Sequence, residues 1–175
     1  MKDLILGCHL LFAREGDTID SVVVSSTVKP DTTPPENYTS FPTVEDWEPK
    51  VNRQFVERRA PSPGQYQTRK KIPLRTTTTH AFSLQEFTMT TLAELLLGGN
   101  EPVAGVFVPG ERSELLRGWW IVQGYDQSND QIIALNIWGE ARIDNYKFGE
   151  RLDPYAVIIE QLYSPLNTGL ISNLT

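Results

Sequence analysis

A single cysteine, Cys8, occurs in 175 residues. It can form no intramolecular disulfide, and a cysteine-rich metal site is excluded. Cys8 stands in an apolar run and reads as a small buried hydrophobe. The two histidines, His9 and His80, each fall in an expected strand with no second ligand at metal spacing, so both read as structural. There is no G-x-S-x-G, no glycine-rich phosphate loop and no H-E-x-x-H, hence no recognisable catalytic or cofactor motif. No apolar run reaches the roughly 20 residues that cross a bilayer. The stretch LILGCHLLFA at 4–13 reads as a buried strand, because a signal segment would not hold His9 and no small-x-small site follows. Basic charge is short as well: 16 Lys+Arg face 22 Asp+Glu, a net charge of −6. That total speaks against a nucleic-acid grip and against an anionic membrane surface. No repeat of solenoid period is visible.

What the sequence does hold fits one domain over residues 1–175, a length that buries roughly 70% of its unfolded surface. Residues 4–12 are almost continuously apolar, as in a strand covered on both faces. A turn follows at Arg14-Glu-Gly-Asp, then a short β-branched strand at 21–28 (SVVVSSTV). Residues 29–65 carry Pro30, Pro34, Pro35, Pro42, Pro49, Pro61 and Pro63 without a sustained period. Proline removes backbone donors and restricts the residue before it, so this stretch is expected to be a long irregular loop that cannot be an interior strand. Tyr38, Phe41, Trp47, Phe55 and Tyr66 are spaced along and just beyond it. Disordered linkers are poor in aromatics. The five are therefore candidate anchors at a subunit interface, with folding back onto the chain's own domain as the other reading.

Residues 74–84 alternate: Leu74, Thr76, Thr78, His80, Phe82 and Leu84 share one face, and Arg75, Thr77, Thr79, Ala81 and Ser83 the other. A short α-helix should follow, capped at Thr88 or Thr91, with Thr91 and Glu94 at capping-box spacing. Met89, Leu92, Leu95 and Leu96 form its apolar stripe, and Gly98-Gly99 ends it. Residues 102–109 suggest another short strand and 111–116 a helical turn. Residues 119–125 and 131–138 read as a β-hairpin, 141–148 as a weaker strand and 154–163 (PYAVIIEQLY) as a late one. The expected fold is mainly β: an antiparallel sandwich or barrel of six to eight strands flanked by one short helix. Trp119 and Trp120 should point to opposite faces, one into the core and the other covered by the helix or a partner. Glu45, Asp46 and Glu48 beside Trp47 read as a solvated acidic patch. The basic run Arg69-Lys70-Lys71 reads first as a solvated strand start and second as a pairing surface for an acidic neighbouring subunit.

The threonine-rich strand at 76–79 runs into Phe82-Ser-Leu84-Gln-Glu86 and then Leu92-Ala-Glu-Leu-Leu-Leu-Gly98. Leu6-Gly7 opens an apolar strand, and a late strand at 156–162 follows a Leu-Asp-Pro stretch. In these motifs and their order the chain resembles the major tail tube proteins of long-tailed bacteriophages; residues 29–65 lie outside the resemblance. The resemblance implies a β-sandwich or barrel flanked by a helix, whose copies form hexameric rings that stack into a hollow tube for DNA. It further implies a virion tail location after synthesis in the host bacterial cytoplasm, no enzyme activity and no cofactor. The implied partners are the chain itself and other tail proteins (tape measure, terminator, baseplate, sheath), with DNA only in transit and no membrane. Thr77, Thr79 and Ser83 are then candidate channel-lining residues, small and wettable, since a basic lining would hold DNA fast. Two other readings stay open: another tail component such as a terminator or baseplate protein, and a monomeric β-sandwich ligand-binding module. The second would take glycans, with Trp47 and one of Trp119 and Trp120 as platform. Limited proteolysis is expected to cut the isolated chain between residues 29 and 65. Assembly should protect that region, and equal cleavage before and after assembly would remove it from the interface.

Overall fold

The computed structural model describes residues 7–172, except 34, 85, 87, 127, 129 and 144–154. Antiparallel pairing builds it from β1 (Gly7–Arg14), β4 (Thr39–Ser62), β5 (Gln65–Leu84), β6 (Leu116–Tyr125), β7 (Gln131–Ile143), β8 (Tyr155–Gln161) and β9 (Thr168–Ile171), with a small ribbon of β2 (Thr18–Ile19) and β3 (Val22–Val23). The strands run in the order β6-β1-β4-β5-β8-β7, and β7 pairs back with β6, so six strands form a closed ring. β8 and β9 share the second edge of β7 end to end, β8 against Gly139–Ile143 and β9 against Ile133–Asn136. This is the mainly antiparallel β-fold expected, consistent with a sandwich.

The expected hairpin forms from β6 and β7. Its sequence dictates burial on both faces. Trp120 and Val122 point into the ring with Leu10, Phe12, Phe82 and Ile159. Trp119 and Ile121 point outward, where Leu11, Ala13, Val24, Tyr38 and Trp138 cover them. Both indoles are fully buried. The outward one is covered neither by the helix nor by a partner. Residues 24–28 close over it, and the Trp119 Nε1–H donates to the carbonyls of Ser25 and Val28 at 2.8 and 3.1 Å. Inside, Phe12 stacks on Trp120 with centroids 4.2 Å apart. A ring this small has room only for side chains, so the protomer encloses a packed core and no channel.

The largest departure from expectation is at 29–65. Beyond a 3-10 turn at Pro35–Asn37, this stretch is mostly β4, one leg of a long hairpin with β5. Its prolines are tolerated because they sit where the ladder is already broken. Pro42 lies in a bulge against β1, between Phe41 and Val44, where β4 carries an extra residue. Pro49 follows a second bulge between Glu45 and Glu48, Pro73 adjoins a third beside Phe55, and Pro61 lies near the tip. Proline is found at edges and bulges for this reason. Each bulge also inverts the inside-outside alternation, which is why no period of two persisted.

Smaller corrections follow. Residues 21–28 form only β3 and a Ser25–Val28 bridge, after a tight turn with positive φ at Asp20 and Ser21. Residues 102–109 hold an isolated Val103–Val106 bridge, and 111–115 are irregular. The weaker strand at 141–148 begins as the end of β7, and 144–148 lie outside the described residues. β9 was not foreseen. The helix is a seven-residue π-helix at Thr90–Leu96, closed at its start by Thr88 and Thr91. The Thr88 N–H donates to Thr91 Oγ1 at 2.7 Å and the Thr91 N–H to Thr88 Oγ1 at 3.2 Å. Glu94 takes no part in this cap. Gly98 ends the helix with φ of 62°, as expected.

Gly118 faces Gly139 across β6 and β7. A Cβ on Gly118 would meet the Ala13 carbonyl and come within 2.6 Å of Phe12 Cε2. Gly118→Ala should therefore lower stability by about 2–3 kcal/mol, read as a lower urea midpoint in tryptophan fluorescence.

Candidate interaction surface

β4 is held by β1 over Thr39–Val44, and β5 by β8 over Thr79–Leu84. Beyond those contacts the two strands pair only with each other, from Lys50 against Thr79 to Ser62 against Gln65. At roughly 3.3 Å per residue this ribbon projects about 40 Å from the ring. Both of its edges are unpaired among the described residues, and such edges are templates for added strands. It exposes Val51, Phe55, Val56, Tyr66 and Leu74, with Tyr66 at 74%. Bulges fall between Gln54 and Phe55 and between Arg58 and Arg59, each placing an extra residue on β5.

Charge in the chain is strongly partitioned. Residues 50–75 hold eight of the 16 Lys+Arg and one of the 22 Asp+Glu, a net +7; the chain total is −6, so the remainder carries −13. The one acid, Glu57, is occupied locally: Lys71 lies 3.3 Å and Arg59 3.7 Å away, and Thr68 donates to it. These contacts, Lys71 first, hold its carboxyl below the usual range. Arg75 reaches Glu160 on the ring at 3.7 Å. The basic run 69–71 is thus part of the arm.

At the root of the arm, the Glu45–Glu48 bulge and the left-handed backbone of Asp46 (φ 50°) aim Trp47 back at β5. The Trp47 Nε1–H donates to His80 Nδ1 at 3.2 Å, with the ring planes 12° from parallel. With Nδ1 accepting, the neutral imidazole carries its proton on Nε2, 3.4 Å from Gln161 Oε1. Burial pushes the His80 pKa down, and the Gln161 contact opposes this in part.

At the opposite end of the ring, where β4 begins, Ala13, Asp17, Glu36, Asn37, Thr39 and Glu101 line an open cleft of about 420 Å³. The Asn37 side-chain amide donates to Asp20 at its border, at 2.9 Å. Burial pushes the Asp17 carboxyl up, Arg14 opposes this, and Glu101 and Glu94 reinforce it. Arg14 reaches Glu101 on the cleft at 3.4 Å, and its shorter contact is to Glu94, which it holds together with Arg112 and whose side chain is 1% exposed. No sequence pattern points to this three-residue knot, because its members are distant along the chain and share no motif.

The five proposed aromatic anchors divide. Tyr38 and Phe41 are buried in the chain's own core, and the Tyr38 hydroxyl donates to the Pro30 carbonyl at 2.7 Å. Neither is available to a neighbour. Trp47 is half-buried at the root, while Phe55 and Tyr66 are exposed on the arm. Thr77, Thr79 and Ser83 are half-buried on the outer face of β5, opposite His80, Phe82 and Leu84. Cys8 is half-buried against the inner core, and burial raises its pKa. His9 packs edge-on against Tyr125. Among the described residues no group of three or more His, Cys, Asp or Glu could hold a metal ion, and no helix is long and apolar enough to cross a membrane. Trp119 and Trp120 are fully buried, so neither can serve as the platform for a glycan.

The depressed His80 pKa means that the unfolded chain takes up its proton first, near the ordinary value of 6.5. Its contribution to stability is therefore complete above that value and declines as pH falls below it. The urea midpoint of the wild type should drop between pH 7 and pH 5 more steeply than that of His80→Gln. Parallel pH profiles would show that the Trp47–His80 contact does not depend on a neutral ring.

No protein-family model matches the chain, and no curated protein matches it in sequence.

Proposed function

We propose that the chain is a structural subunit that acts by assembling with copies of itself, as a tail-tube-type protein whose rings stack into a conduit for DNA in a virion tail. The observation that carries this reading is the arm: a two-stranded ribbon of this length is marginal alone in water. It exposes apolar side chains and two backbone edges that a neighbour can cover. Two further apolar exposures support it. One is the loop bearing Val103, Val106 and Val108, and the other is the edge strand β9 with Leu170 and Ile171. Separate apolar patches on one protein mark interaction sites, and dissimilar patches suit the heterologous contacts that build rings and stacks.

Since the protomer's own ring is filled, any conduit lies between copies. The outer face of β5, with Thr77, Thr79 and Ser83, is the wettable surface such a lumen would use. Other tail proteins are the further partners that this reading carries with it, and a terminator or baseplate role differs from it only in whether the rings stack.

Negative-stain electron microscopy of purified full-length protein should show rings or tubes. Replacing residues 51–78 by Asn-Gly, a tight hairpin turn between the paired Lys50 and Thr79, should leave a folded protein that forms neither. Wild-type protein that stays as isolated globules at high concentration would remove the proposal.

A further inference from the structure

The partition of charge has a direction in space. β4 enters the ring at Thr39 and leaves it past Val44. The arm, net +7, therefore projects from one end of the ring. The cleft lined by Asp17, Glu36 and Glu101 opens at the other. Among the described residues no carboxylate pairs with Arg53, Arg58, Arg69 or Lys70 on the arm. One molecule thus presents unneutralised cations at its head and a carboxylate-rich cleft at its foot, where Glu101 pairs with Arg14 at 3.4 Å while Asp17 and Glu36 form no ion pair among the described residues; the two ends are too far apart to meet within the same chain.

We infer that the arm tip of one copy seats in the acidic cleft of a second copy, head to tail. This rests on the self-assembly reading and names its contact. Size limits what enters: about 420 Å³ holds a few side chains and not the ribbon itself. Tyr66 stands at the tip, 74% exposed, beside a turn at Gly64 with φ of 77°. It is the anchor, since a tyrosine brings a large rigid contact area with a polar end. Arg58, Arg59, Arg69 and Lys70 follow it and face the carboxylates at the rim. Complementary rim charges chiefly speed encounter and fix register. Because the two patches differ, the contact is heterologous: each copy that uses its arm still has a free cleft, so the contact repeats from copy to copy unless the rotation between copies closes it. The same arm charges could attract a nucleic acid, but the −13 on the rest of the chain opposes a lasting grip on it.

The test uses full-length chains in sedimentation velocity, with the buried tryptophans reporting folding. One variant neutralises the arm (Arg58→Gln, Arg59→Gln, Lys70→Gln) and another the cleft (Asp17→Asn, Glu36→Gln). Wild-type self-association should weaken roughly tenfold or more between about 50 and about 300 mM salt, because rim charges are screened over that range. Each variant alone should stay monomeric where the wild type associates. Mixed in equal amounts, the intact arm of one and the intact cleft of the other should give 1:1 dimers that grow no further. Association of both variants at wild-type strength, or of the cleft variant alone, overturns the inference, as does a mixture that remains monomeric. Loss of binding to a short DNA duplex in the arm variant, with self-association unchanged, assigns the arm to nucleic acid and also overturns it. Rings formed by the cleft variant in electron microscopy would leave the tube reading standing without this contact. One-to-one dimers from a mixture whose wild type never closes rings would leave the contact standing without the tube.

Discussion

The fold depends on one contact, the stack of Phe12 on Trp120, and on the two glycines that permit it. Gly118 and Gly139 face each other across β6 and β7, and at both positions a Cβ would press on the backbone of the next strand. Their absence of side chains lets β1 and β8 approach β6 and β7 closely enough for six strands to close. The Trp120 indole fills the middle of that ring and donates its Nε1–H to the Gly139 carbonyl at 3.2 Å. Apolar burial drives the collapse, at about 1.5–3 kcal/mol for each large side chain. The glycines decide which closed arrangement the collapse reaches.

A rigid ring gives the arm its meaning. A ribbon with no sheet behind it wanders, but β4 and β5 are locked at their roots by β1 and β8, and Trp47 adds a side-chain clamp through His80. The arm is thereby aimed, and the ordering cost that a free hairpin would face on docking falls on the ring instead. At the other end, the Arg14–Glu94–Arg112 knot ties β1, the π-helix and the loop before β6 together beside the acidic cleft. Both proposed contact regions are therefore mounted on firmly packed elements.

Much of the ring was legible. The apolar run at β1, the Trp-Trp strand with its partner hairpin leg, the alternation at 74–84 and the late strand β8 all announced themselves through burial patterns that packing enforces. Two kinds of feature did not. β4 was hidden because its bulges shift the alternation and its prolines imitate a loop; backbone register, not composition, makes it a strand. The cleft and the Glu94 knot were hidden because their carboxylates and arginines come from far-apart segments. The chain's total charge concealed the rest: a sum of −6 gives no sign that one ribbon is strongly cationic. Of the five aromatics singled out, Phe55 and Tyr66 are free to act while Tyr38 and Phe41 serve the core. That division follows from where β4 leaves the ring, which no local pattern encodes.

The bulges on the arm carry a consequence for how the chain survives before it meets its neighbours. Along the free edge of β5 they leave unbroken runs of four residues, 65–68, 70–73 and 75–78; the last continues to Ala81, but β8 covers that edge from Thr79 onward. A dry, interdigitated fibril spine needs about six or seven regular residues. A sticky ribbon interrupted at this interval can accept a shaped receptor but gives an identical ribbon no long straight track to zip along. Crowded copies awaiting assembly are in this way kept from the irreversible stacking that so long an exposed hairpin would otherwise invite.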